Sequence, residues 1–110
     1  MIHIRVKGTP DEIEGFIVWG HAGQASYGKD IVCAGVTAIC QTTIIGMEYL
    51  APAYVWTGIA EQGLLFCRLQ RDIPEAEMML VQLQFRIMIF GLLAICTNYG
   101  SFIDLELPEF

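Results

Sequence analysis

One histidine and one cysteine, twelve residues apart, are the side chains of this sequence best suited to do chemistry together. His21 closes a short apolar run and Cys33 lies just inside the next one. An imidazole beside a thiol provides a nucleophile and its proton carrier: the thiolate attacks a carbonyl carbon, and the imidazolium then protonates the leaving amine. Asp30 suits two roles, orienting His21 as the third member of a triad does, or capping the helix that follows. If Asp30 is the cap, Cys33 lies in the first turn, close to the unpaired amides at the positive end of the helix, a location that favours thiolate. The backbone amides of Cys33 and Ala34 are then candidate donors to a developing oxyanion. Between the two reactive residues, Ala22, Gly23, Gln24, Ala25, Ser26, Tyr27, Gly28 and Lys29 form a stretch with two glycines, long enough to gate a substrate. Spacing alone does not separate this chemistry from simple packing, because a buried cysteine most often behaves as a small apolar side chain.

The rest of the chain must hold that stretch in place. Ile2, Ile4 and Val6 alternate with His3, Arg5 and Lys7, the period-two pattern of a half-buried strand, in which His3 reads as a solvated residue. Gly8-Thr9-Pro10-Asp11 breaks it, and Gly15 to His21 reads as a second strand, buried on both faces and paired with the first as an antiparallel hairpin. A helix from Asp30 to about Tyr49 offers Ile31, Val32, Val36, Ile39, Ile44, Met47 and Leu50 to the core, with Ala34, Gly35 and Ala38 allowing close approach of another backbone. Residues 53–57 and 64–68 read as a strand hairpin. Asp72 and Glu75 have the spacing of a capping box at the start of a second helix. That helix carries two apolar stripes. One contains Leu80, Leu83, Ile87 and Phe90, the other Val81, Phe85, Met88 and Leu92, so it needs two partners: the sheet and a second subunit. A last strand covers 102–107. The order β-β-α-β-β-α-β predicts an α+β fold, a small, mostly antiparallel sheet with two helices packed on one face, forming one domain over residues 1–110.

Composition narrows the function classes. A net charge of -6 with only six scattered Lys and Arg speaks against nucleic acid and favours a basic protein or peptide as partner. Hydrophobic residues make up 55% of the chain and charged ones 16%, which leaves apolar surface for a homodimer. Cysteines at 33, 40, 67 and 96 form no CxxC pair, so the pattern calls for no metal and no cofactor. The alternating N-terminus lacks the form of a secretory signal, which points to the cytoplasm. The apolar segment from Met78 to Cys96 contains Gln82, Gln84 and Arg86 and reads as a buried or interface helix, not as a membrane span.

Gly20-His21-Ala22, followed by Gly28-Lys29-Asp30-Ile31-Val32-Cys33-Ala34, resembles the signature of the Prp family of ribosomal-processing cysteine proteases. The similarity extends along the whole chain in length and in the order of elements. It departs at Thr37, where the family often has serine, and in the strongly apolar segment Phe85 to Cys96. The resemblance implies that Cys33 is the nucleophile and His21 its base and acid partner, with Asp30 a motif residue. It further implies a dimeric cytoplasmic protease that removes the N-terminal extension of bacterial large-subunit ribosomal protein number twenty-seven. Two other readings fit the residues: a non-catalytic dimeric module that binds a ribosome-assembly protein, and a hydrolase using the same dyad on a capsid precursor or another basic protein.

Overall fold

Along the first strand Ile2, Ile4 and Val6 turn inward and are buried, while His3 and Arg5 point to the other face. The computed structural model describes residues 1–20, 27–60 and 64–108. Its elements are β1 (Ile2–Gly8), β2 (Ile13–Trp19), α1 (Tyr27–Leu50), β3 (Val55–Ala60), β4 (Leu64–Leu69), α2 (Glu75–Tyr99) and β5 (Ile103–Glu106), with a single 3-10 turn before β5. The five strands form one sheet in the order β3-β4-β2-β1-β5, antiparallel throughout except where β5 runs parallel to β1. This is the expected α+β arrangement.

The inward faces of β1, β2 and β4 supply Ile4, Phe16, Val18, Leu65 and Cys67 to a core that α1 and α2 close from one side. From α1 come Val32, Val36, Cys40, Ile44 and Met47; Ile31 and Leu50, expected there, are instead exposed. From α2 come Val81, Phe85, Met88 and Leu92, with Phe85 meeting the Phe16 ring edge-on at 6.3 Å. Thus the stripe at 81, 85, 88 and 92 faces the sheet, and the stripe at 80, 83, 87 and 90 is left exposed.

The two helices lie antiparallel. Space for a Cβ on Gly35 is limited by Ile95, on Gly91 by Ile39 and on Gly46 by Gln84, so each contact moves down α2 as it moves up α1. Small residues let large side chains of the opposite helix settle close to the backbone, as the Gly35 region suggested. By length and composition Ile31–Leu50 and Glu75–Phe102 would each suffice to cross a membrane. In the fold one side of each helix is spent on the protein core.

Gln82 fastens α2 to the start of β2. Its side-chain amide accepts from the Ile13 N–H and donates to the Ile13 carbonyl, both at 2.7 Å, completing at the β2 entrance a pairing that a neighbouring strand would otherwise make. Gln82→Ala leaves both backbone groups without this partner, and we expect a cost of about 1–2 kcal/mol, read as a fall of roughly 4–10 °C in the thermal midpoint.

Three local expectations change. The second strand is not buried on both faces, since Trp19 is exposed and Ile17 half-buried on the side away from the helices. The capping box at Asp72 and Glu75 does not form: Asp72 has φ +63 in the turn, the helix starts only at Glu75, and Pro74 precedes it with no side-chain cap. Proline's locked φ and the restriction it places on the residue before it stop the helix from extending back to Asp72. Finally, β3 runs from Val55 to Ala60, beyond the expected strand end at residue 57.

Candidate active site

Cys33 lies in the second turn of α1, partly buried and packed against the edge of the core. The helix begins at Tyr27, so Tyr27, Gly28 and Lys29, expected in the gating loop, form the start of its first turn, and Asp30 is the fourth helical residue instead of the cap. An acidic residue suits the first turn as well as the position ahead of it, because the positive end of the helix spans that turn. The consequence for oxyanion binding is direct. In a helix starting at Tyr27 the unpaired amides are those of the first turn, whereas the Cys33 and Ala34 amides point back to the carbonyls of Lys29 and Asp30. The sulfur therefore sits about 4.5 Å farther along the helix from those unpaired amides than a start at Asp30 would place it.

His21 and the loop residues Ala22, Gly23, Gln24, Ala25 and Ser26 lie outside the described residues. The strand end that leads into His21 is described in detail. Gly20 has φ +82, and a Cβ there would come within 2.6 Å of the Met1 carbonyl oxygen and 3.3 Å of His3 Cδ2. Only glycine fits that backbone and that gap.

Cys40 and Cys67 differ from Cys33 in environment, whereas Cys96 is partly buried as Cys33 is. Cys40 and Cys67 are fully buried, and burial pushes both thiols up to about 12, with the Glu48 charge adding to the effect at Cys67. Burial raises Cys96 as well. At pH 7 a thiol titrating near 12 is ionised in only about one molecule in 10⁵. Brief treatment with iodoacetamide at pH 7 should therefore label Cys33 well ahead of Cys40 and Cys67, as peptide mass mapping would read. Equal labelling of all three would remove the argument from accessibility.

Sequence reasoning missed a polar cluster on the outer face of the sheet, beside Gly20. His3 Nδ1 donates to Asp104 Oδ2 at 2.8 Å, and Arg5 Nη2 donates to the same oxygen at 2.7 Å. Arg5 also donates through Nη1 to the Asp104 carbonyl and pairs through Nε with Glu106. Trp19 stacks on His3 at 5.0 Å between ring centroids, and the Arg5 guanidinium lies 5.0 Å from the Trp19 ring centre. The hydrogen bond from Arg5, then that from His3, holds the Asp104 carboxyl below the usual carboxylate range, so it is ionised at neutral pH. The signal was present in the alternation of β1, which put His3 and Arg5 on one face; what the sequence does not reveal is that β5 lies beside β1 in parallel, with His3 opposite Asp104 and Arg5 opposite Glu106.

At the far end of the same face a cleft of about 1090 Å³ is lined by Lys7, Ile17, Trp56, Phe66 and Arg68, among others. It opens on the side of the sheet away from α1 and contains neither Cys33 nor Gly20.

Comparison with known proteins bears on these features. The family model for cysteine protease Prp matches residues 1–104, a span that includes the whole Gly20–Ala34 stretch. The fold superposes on the crystal structure of SMU.848 from Streptococcus mutans with a TM-score of 0.81, at 25% identity over 98% of this chain and 94% of that one. It also superposes on the essential ribosomal processing protease Prp from S. aureus in complex with a substrate peptide, with a TM-score of 0.79 at 24% identity over 96% and 98% of the two chains. The same S. aureus protease with a covalently linked product peptide gives a TM-score of 0.74 at 23% identity over 96% and 98%. No curated protein gives a significant match.

Proposed function

The chain belongs to the Prp family of cysteine proteases, and on that premise we propose that Cys33 and His21 form its catalytic dyad and cleave the N-terminal extension from bacterial large-subunit ribosomal protein number twenty-seven. The observation that carries the reading is the family match across the Gly20–Ala34 stretch, in which Cys33 stands in the second turn of α1, the helix that follows β2. In the reaction, the Cys33 sulfur adds to the scissile carbonyl carbon and charge collects on the carbonyl oxygen. The carbon–nitrogen bond then breaks as His21 gives its proton to the leaving amine, leaving the N-terminal fragment as a thioester on Cys33. Water, deprotonated by His21, adds to the thioester and releases the fragment as a carboxylic acid, restoring the thiol. Asp30, in the first turn of α1, acts as an orienting residue for His21. The residues from Ala22 to Ser26 form the gate through which an extended peptide reaches the sulfur.

The chain's negative charge supports a basic ribosomal substrate, and its four free cysteines suit a reducing cytoplasm. The enzyme is a homodimer joined through the outer face of α2, where Leu83, Ile87 and Phe90 are all more than half exposed. Incubation with the ribosomal precursor of the same organism, followed by mass mapping of the new N-terminus, tests the substrate. A single shortened product is expected, and a precursor left intact by active enzyme would transfer the dyad to another substrate.

A further inference from the structure

We infer that Trp19, His3, Arg5 and Asp104 are positioning residues that fix the exit of β2 and thereby the place from which His21 enters the site. The inference rests on the reading of His21 as the catalytic base. Trp19 is the last residue of β2 and lies opposite His3, only Gly20 separating it from His21. Each neighbour that limits its movement is itself held. His3, stacked on it with 16° between the ring planes, is tied to Asp104, and Arg5, over the same indole, is tied to both Asp104 and Glu106. The Arg5 side chain is only 17% exposed, so the cation at the centre of this network is shielded, while its partners Asp104 and Glu106 reach solvent at 39% and 65%.

Gly20 takes its direction from the same group of residues. Its backbone passes between the Met1 carbonyl and the His3 ring with no room for a Cβ, at a φ that only glycine adopts readily. The β1–β5 pairing, the Trp19 indole and the Gly20 turn thus form one connected unit whose last member is bonded to His21. A general base displaced by about 1 Å can lose about a hundredfold in rate although every reacting group is still present.

The fold contains its own control. Trp56 lies on the same face with Arg68 over its ring at 5.8 Å, but it pairs at the level of Gly15, four residues and about 13 Å along β2 from Trp19. The test is steady-state cleavage of a precursor peptide by Trp19→Ala, Trp19→Phe, Asp104→Asn and Trp56→Ala, at a temperature where melting curves show each to be folded. Trp19→Ala and the isosteric Asp104→Asn are expected to lower kcat by about ten- to a hundredfold with KM within about twofold, Trp19→Phe to recover most of the loss, and Trp56→Ala to match wild type. Wild-type kcat in Trp19→Ala and Asp104→Asn, or an equal loss in Trp56→Ala, would overturn the inference. His21→Ala in the same assay separates the two levels. If it is inactive while Trp19→Ala and Asp104→Asn turn over normally, the positioning role alone falls; if it cleaves like wild type, the catalytic reading falls with it.

Discussion

Cys33→Ala is expected to abolish precursor cleavage while leaving the fold intact. Removing a nucleophile takes away the covalent route entirely, and comparable losses in thiol and serine hydrolases run to roughly 10⁴–10⁶ in kcat. The side chain is partly buried at the edge of the core, so truncation to alanine removes one sulfur from a helix that Val32, Val36 and Cys40 continue to anchor. We expect the thermal midpoint to move by only a few degrees, about 1 kcal/mol. His21→Ala should lose roughly 10²–10⁴ in kcat, because both proton transfers pass through the imidazole. The two losses should not add, since the groups act as a unit; the double variant should be about as inactive as Cys33→Ala alone.

The second large effect concerns assembly. Leu83, Ile87 and Phe90 follow one another at helical spacing on the face of α2 opposite the core, with exposures of 59%, 57% and 66%. Leu83→Glu together with Phe90→Glu should convert the proposed homodimer to monomer at micromolar concentration. A two-fold axis places each substitution in the interface twice, so four carboxylates would have to be desolvated, at a cost of roughly 2–3 kcal/mol each even after partial relaxation. The dissociation constant should rise by more than about a thousandfold, as sedimentation velocity would read. A wild-type chain that sediments as a monomer, or a double variant that stays dimeric, would remove this face from the assembly. A wild-type chain that instead floats with lipid vesicles would assign the stripe to a membrane.

Much of the scaffold can be read directly from residue patterns, and the reasons are local. The alternation of Ile2, Ile4 and Val6 with His3 and Arg5 reports a strand with one face in the core, and the two stripes of α2 report two partners. The residues that misled are those at which local chemistry had two equal outcomes. Asp30 is as favourable inside a first turn as ahead of it, so α1 starts at Tyr27. Asp72 has the spacing of a capping box, yet Pro74 halts the helix short of it. Phe16 to Trp19 is apolar throughout and reads as buried on both faces, but Trp19 is covered on the outer face by His3 and Arg5 instead of by a helix. The ties that hold that cover depend on β5 reaching β1 from about a hundred residues away, information that no local pattern contains. Within the site, Cys33 is legible as a residue near the N-terminal end of a helix, although it lies one turn deeper than a cap at Asp30 implies, and the order of residues from Gly20 to Ala34 made the family similarity visible.

In the proposed reaction the Cys33 sulfur forms a covalent bond with the carbonyl at the cut. Acid quenching of enzyme and precursor during turnover, followed by peptide mass mapping, tests it most directly. The predicted result is a Cys33-containing peptide heavier by the released N-terminal fragment less one water, with Cys40, Cys67 and Cys96 unmodified. Sustained cleavage with no adduct at Cys33, and undiminished cleavage by Cys33→Ala, would contradict it.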